Sequence, residues 1–321
     1  MSTASLMEVM FKTYPSFDAF ITDYGLKGYD KMLQIVQNVL MPWTPEEYLA
    51  LYEETVRLID EVDPAVIVVD SMQRPFVDAA RNANRQFAML NPNALTDIIA
   101  YRQPWGQMFW KYPAMMSGHT FPVSLKDILP NIWMQIRFIW TILKSPKMEA
   151  ARTFLKAHGI KDPINMQMQW ENVPLLSGDL PEAGLPLSYY PPNVTVCGPI
   201  VLGTSLAEQQ DPELAQWLDR APSTMLICLG SNIEYNERRA RALGSAILHV
   251  LETIDTQVIW KFVKEGEYDD TWREPLQKYI DDGRLRMESW LNVDPVSLVN
   301  TGKINVWVHH GGANCYYEAA M

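Results

Sequence analysis

The chain has 321 residues, enough for two domains at about 150 residues each. Apolar residues make up 48% and charged residues 20%, a globular balance that excludes a disordered or fibrous chain. The net charge of −11 argues against a nucleic-acid binder, because phosphate affinity needs clustered Lys and Arg.

In chain order, the stretch Met1 to Phe17 lacks a basic segment followed by an apolar run, so no secretory signal is expected there. Thr44-Pro45-Glu46-Glu47 starts a helix: Thr caps it, Pro suits the first position, and Glu47 completes a capping box. Tyr48, Tyr52, Val56, Ile59 and Val62 then recur on one apolar face, and Asp63-Pro64 ends the helix. The apolar run Ala65 to Val69 predicts a strand buried on both faces, with Asp70 at its carboxyl end. A helix from about Pro75 to Arg85 and a short strand Phe87 to Leu90 follow. This alternation is the rhythm of a parallel α/β sheet.

Residues 101 to 192 are rich in Trp, Tyr, Met and Pro in short helical pieces. They suit the lining of an apolar cleft, and equally ordinary core packing. The most apolar piece, Ile132 to Leu143, contains Arg137 and falls short of the roughly 20 residues of a membrane span. The sequon at Asn193 carries little weight without a secretory route. Tyr190-Pro191-Pro192-Asn193 and Cys197-Gly198-Pro199 mark a boundary. The division expected is an N-terminal domain over 1–200, a linker over 201–222 with a short helix near Pro212 to Asp219, and a C-terminal domain over 223–321. The second α/β pattern opens with strand Thr224 to Leu229, broken by Gly230-Ser231. A helix with Ala240, Leu243, Ile247, Val250 and Ile254 on one face comes next. Strands Gln257 to Phe262, Arg284 to Glu288 and Ile304 to His309 complete it, with a short helix near Pro295 to Val299 before the last.

Chemistry concentrates at His309-His310-Gly311-Gly312-Ala313-Asn314-Cys315-Tyr316-Tyr317-Glu318, where a strand gives way to a helix. Carboxyl ends of parallel strands are where open α/β sheets bind ligands. The glycines admit close backbone approach, the helix start offers N–H groups to an anion, and Glu318 could accept from vicinal hydroxyls. That set suits a nucleotide diphosphate with its ribose. From spacing alone an ordinary glycine turn, with Asn314 as N-cap and His310 as a buried hydrogen-bonder, stands level with it. Gly230-Ser231 repeats the architecture, and two such turns on one sheet edge strengthen the phosphate reading.

Other sites fail on specifics. No GxGxxG or P-loop is present. Gly203-Thr204-Ser205-Leu206-Ala207 is only a near miss for a hydrolase elbow, and on the wrong side of the His-Gly-Gly run. His309 and His310 are expected on opposite faces of a strand, unable to share a metal. The three cysteines, Cys197, Cys228 and Cys315, form no CxxC pair, so neither a disulfide framework nor a zinc site is indicated. A reducing, cytoplasmic compartment fits this usage.

Gly230-Ser231, Trp290-Leu291 and the run from His310 to Glu318 resemble the donor half of UDP-glycosyltransferases. The flavour is fungal, and the similarity spans nearly the whole chain, including Cys197-Gly198-Pro199. The resemblance implies a GT-B fold, with two Rossmann-like parallel-sheet domains facing a cleft: an acceptor-binding first domain and a nucleotide-sugar-binding second. It implies that Trp290 stacks on uracil, and that Ser231, His310, Asn314 and the backbone at Gly230, Gly311 and Gly312 hold the diphosphate. Glu318 would take the ribose hydroxyls. Asp70 matches the aspartate of the family's His–Asp dyad, which deprotonates the acceptor hydroxyl for inverting attack. Without the resemblance, Asp70 reads as a cap of the helix after it. The partners implied are a UDP-sugar co-substrate and an apolar hydroxylated small molecule, such as a sterol, polyketide or phenolic of secondary metabolism. No cofactor, metal, nucleic acid or stable membrane span is implied.

The sequence departs from the family pattern. Cys315 replaces a serine, and Asn292, Val293 and Asp294 stand where a glutamine follows the tryptophan. None of the five histidines precedes Asp70 to match the catalytic one, and the chain stops at Met321 inside an expected helix. Both domains are therefore expected to be incomplete, with an open edge on the second sheet. The expected hexosyl transfer by this chain is accordingly weak, and an inactive nucleotide- or partner-binding remnant is the alternative.

Overall fold

In the computed structural model, which describes residues 17–164, 172–201, 205–231 and 233–320, parallel strands organise each half of the chain. The stretch before Phe17 and Gly203-Thr204 of the near-miss elbow lie outside the described residues. The chain divides into two units, Met1–Gly198 and Pro199–Met321.

In the first unit, β1 (Ile67–Asp70), β2 (Phe87–Asn91), β3 (Leu175–Ser177) and β4 (Val194–Val196) form a parallel sheet in that order. Its core gathers Val69, Met89 and Leu175 from the strands, with Val77 and Ala80 from the helix Arg74–Asn82. The expectation that the first strand is buried on both faces is not met. Among the described residues β1 is an edge strand, with Val69 buried while Val66 and Val68 are 59% and 57% exposed. Alternation of this kind marks a strand covered on one face. Hydrophobicity alone could not reveal the edge.

The helix Pro45–Val62 begins as its sequence dictates. Glu47 N–H donates to Thr44 Oγ1 at 3.2 Å, and Thr44 N–H donates to Glu47 Oε2 at 3.0 Å. Thr44→Ala should lower the stability of this unit by about 1 kcal/mol, read as a reduced urea midpoint. An unchanged midpoint would show the box to be ornamental.

Below this helix lies a buried polar network that the sequence did not announce. Asp78 is 4% exposed and accepts from Tyr48 Oη at 2.6 Å, from Ile164 N–H at 2.8 Å and from Arg81 Nη2 at 3.0 Å. Arg74, also buried, sits in the same field, where burial pulls its guanidinium below the ordinary range against the attraction of Tyr48, Asp78 and Asp70. Burial likewise pushes the Asp78 carboxyl up.

In the second unit, β5 (Thr224–Ile227), β6 (Gln257–Lys261), β7 (Leu285–Glu288) and β8 (Ile304–Val308) form a parallel sheet in the order β7-β6-β5-β8. All five residues of β6 are buried, whereas β8 is an edge with Val306 48% exposed. The helix Glu237–Thr253 buries Ala240, Gly244, Ile247 and Leu251, a stripe turned slightly from the predicted one. The reason is Gly244. A Cβ there would lie 3.1 Å from the Trp272 ring, so the missing side chain seats an indole that counting apolar residues overlooks. Half of the expected linker proves to be core. Helices Ala207–Gln210 and Pro212–Leu218 bring Leu214, Trp217 and Leu218 against Leu226, Ile259 and Leu298. Among the described residues no helix is long and apolar enough to cross a membrane, the helix Ile128–Leu143 included.

Candidate functional site

Parallel strands deliver their carboxyl ends to one edge, and on the second sheet that edge gathers most of the residues singled out above. Gly230 follows β5 with φ of 99°, a backbone that L side chains avoid, and turns the chain beneath His310. A Cβ at Gly230 would stand 3.0 Å from His310 Cε1 and 3.2 Å from Nδ1. Both turns therefore touch. Ser231, next along, is exposed.

His309 and His310 lie past the end of β8 rather than within it, so the expectation of opposite strand faces does not apply. The His309 ring sits 5.6 Å from that of Trp307, and its Nδ1 accepts from Gly311 N–H at 3.2 Å. His310 is exposed rather than the buried hydrogen-bonder of the glycine-turn reading, yet the partial burial of its ring, then the neighbouring His309, holds its imidazole below the ordinary range, favouring the neutral ring. Gly311 has φ of 77°, and Gly312 caps the helix Ala313–Ala319. Asn314 is consequently not the N-cap but an exposed residue of the first turn. Glu318 ends up half-buried further along, its carboxyl raised by burial and then by the charge of Asp294. Cys315, in the serine's place, has its thiol pushed up by burial and then by Glu318.

Trp290 follows β7 and is 60% exposed. Its link to the turns is a residue that sequence reasoning missed. Lys261, the last residue of β6, is 5% exposed, donates from Nζ to the Gly230 carbonyl at 2.9 Å, and places Nζ 4.5 Å from the Trp290 ring centroid. Gly230, Lys261, Trp290 and His310 thus form one connected set.

In the first unit, Asp70 Oδ1 accepts from Met72 N–H at 2.8 Å. It closes the turn after β1, while Gln73 occupies the N-cap of the helix Arg74–Asn82, so Asp70 caps the turn and not the helix. The same unit contains a cavity of about 730 Å³ lined by Met108, Met115, Met116, Phe138, Ile139 and Ile142, among others. Its polar side chains are partly committed: Tyr112 Oη donates to Pro186 O at 2.8 Å, and Gln135 Nε2 to Met108 O at 3.1 Å. Asp97 also lines it, with its carboxyl raised by burial and then by Asp179. The Met- and aromatic-rich stretch therefore does line an apolar cavity.

No family model matches the chain. It is 37% identical over 303 residues to the glycosyltransferase SdnJ of Sordaria araneosa, an alignment covering 92% of this chain and 59% of the relative. The chain is thus similar to a glycosyltransferase over nearly all of its own length. It spans about three fifths of the length of the curated relative it matches. Among solved structures, a glycotransferase of kitacinnamycin is similar with a TM-score of 0.51 at 12% identity, over 90% of this chain and 61% of that one. A UDP-glucosyltransferase from Polygonum tinctorium gives 0.50 at 16% identity, over 85% and 60%. These two likenesses concern the fold, and it is GT-B, with two Rossmann-like parallel-sheet domains.

One signal could have exposed Lys261 beforehand. Gln257-Val258-Ile259-Trp260-Lys261 is a fully buried strand whose final residue is charged. A charge at the carboxyl end of a central strand is placed where open sheets bind ligands.

Proposed function

We propose that the second unit binds the UDP of a UDP-sugar, and that the protein transfers a hexose with inversion to a hydroxyl of an apolar small molecule. The observation that carries this reading is the convergence of the Gly230 turn, the His310 turn and Trp290 on the carboxyl edge of one sheet. Trp290, with most of its surface exposed, offers uracil a stacking platform. Gly230, Gly311 and Gly312 let backbone approach the diphosphate, while Ser231, His310 and Asn314 supply polar side chains beside it. A neutral His310 keeps one ring N–H to donate. Glu318 accepts from the ribose hydroxyls.

Asp70, held by Met72 N–H, matches the family residue that orients the base, but no histidine precedes it in the chain to be that base, so the acceptor's proton is assigned to no residue here. Asp70 does not itself take the proton, because an aspartate is a weak base toward an alcohol. The cavity beside Met108 and Phe138 suits an apolar acceptor, since methionine and aromatic side chains adapt to irregular ligands.

The test is linkage. UDP should raise the melting temperature of the folded chain, and Glu318→Ala should weaken that response, because a lost charged acceptor costs roughly 1.5–3 kcal/mol. An unchanged UDP response in the variant would remove Glu318 from the site. A folded sample that ignores UDP would remove the donor reading itself.

A further inference from the structure

Lys261 is an unusual place for an ammonium. It is 5% exposed, and none of the ion pairs found among the described residues involves it. Burying a charge without a counter-charge is costly, so such a residue persists where the cation is used. Its contacts say how. One N–H is spent on the Gly230 carbonyl at 2.9 Å, and the charge sits 4.5 Å from the centre of the Trp290 ring. An ammonium carries three donors and an indole is the best π partner for a cation, so both contacts can be held at once.

Resting on the reading that Trp290 and the Gly230 turn hold UDP, we propose that Lys261 is the positioning residue of the donor site. It pins the indole and tethers the glycine turn, so that base platform and phosphate turn are set by one side chain. Trp290 is otherwise poorly restrained, being 60% exposed two residues beyond the end of β7. Without the ammonium its ring samples other rotamers, and stacking must then pay for ordering it.

UDP titrations of the chain and of Lys261→Met, Trp290→Ala and the double variant test this. Each single change should weaken UDP binding about tenfold, in keeping with a desolvated cation–π contact or a lost base stack. The double variant should bind within about threefold of Trp290→Ala, because the lysine acts through a ring no longer present. Lys261→Arg, which keeps charge and ring contact, should stay within about threefold of the parent. If Lys261→Met fails to fold, Lys261→Gln removes the charge, retains a donor for the Gly230 carbonyl, and enters the same cycle. Single losses that multiply to about a hundredfold in the double variant, or a Lys261→Met or Lys261→Gln variant within twofold of the parent, would overturn the proposal. If the parent ignores UDP, or Trp290→Ala binds as the parent does, the donor-site reading fails first and takes the inference with it.

Discussion

Gly230→Val should abolish useful UDP binding. The backbone there has φ of 99°, past the left-handed well, where an L side chain costs about 1–3 kcal/mol. The added Cβ would also press on the His310 ring at 3.0 Å, and valine places two further methyl groups beyond it. Gly230 also presents the carbonyl that Lys261 binds, so any shift of the turn loosens the Trp290 platform. Together these effects should lower UDP affinity at least about thirtyfold, which corresponds to roughly 2 kcal/mol. Isothermal titration reads this directly, and a valine variant within threefold of the parent would mean that the turn is not part of the site.

Asp78→Ala should be the most destabilising single change in the first unit. The carboxylate joins Tyr48 Oη, Ile164 N–H and Arg81, and it faces the buried Arg74. Its removal strands several buried donors at once, and breaking a buried ion pair from one side costs about 3–5 kcal/mol. The melting transition of the unit should fall by about 10 °C. Asp78→Asn keeps an acceptor for the Tyr48 hydroxyl and should lose less. A fall of under about 2 °C for the alanine variant would show that the network contributes little, as many ion pairs do.

Much of this architecture is written in local signals. The capping box at Thr44 and Glu47, the strands after Phe87 and Gln257, and the glycines at 230, 311 and 312 are each specified by a few neighbouring residues. What escaped depends on distant partners. The edge position of β1 follows from strand order, which no property of Val66 or Val68 reveals. Asp78 gains its role from Tyr48 and Ile164, 30 and 86 residues away in the chain. Gly244 matters because Trp272 fills the space it leaves. Lys261 carries a partial local signal, a charge closing an apolar run, but only the sheet order brings it beneath Trp290. The Met- and aromatic-rich character of residues 101–192 is legible, but a cavity and a core have the same composition, and only packing separates them.

The most direct measurement is a co-crystal structure of the chain with UDP. Uracil should stack on the exposed surface of Trp290, with the diphosphate over the turns at Gly230 and Gly311-Gly312 and the ribose within reach of Glu318. Lys261 should remain between the Gly230 carbonyl and the indole. UDP bound elsewhere on the chain, or bound at this edge with its base away from Trp290, would contradict it.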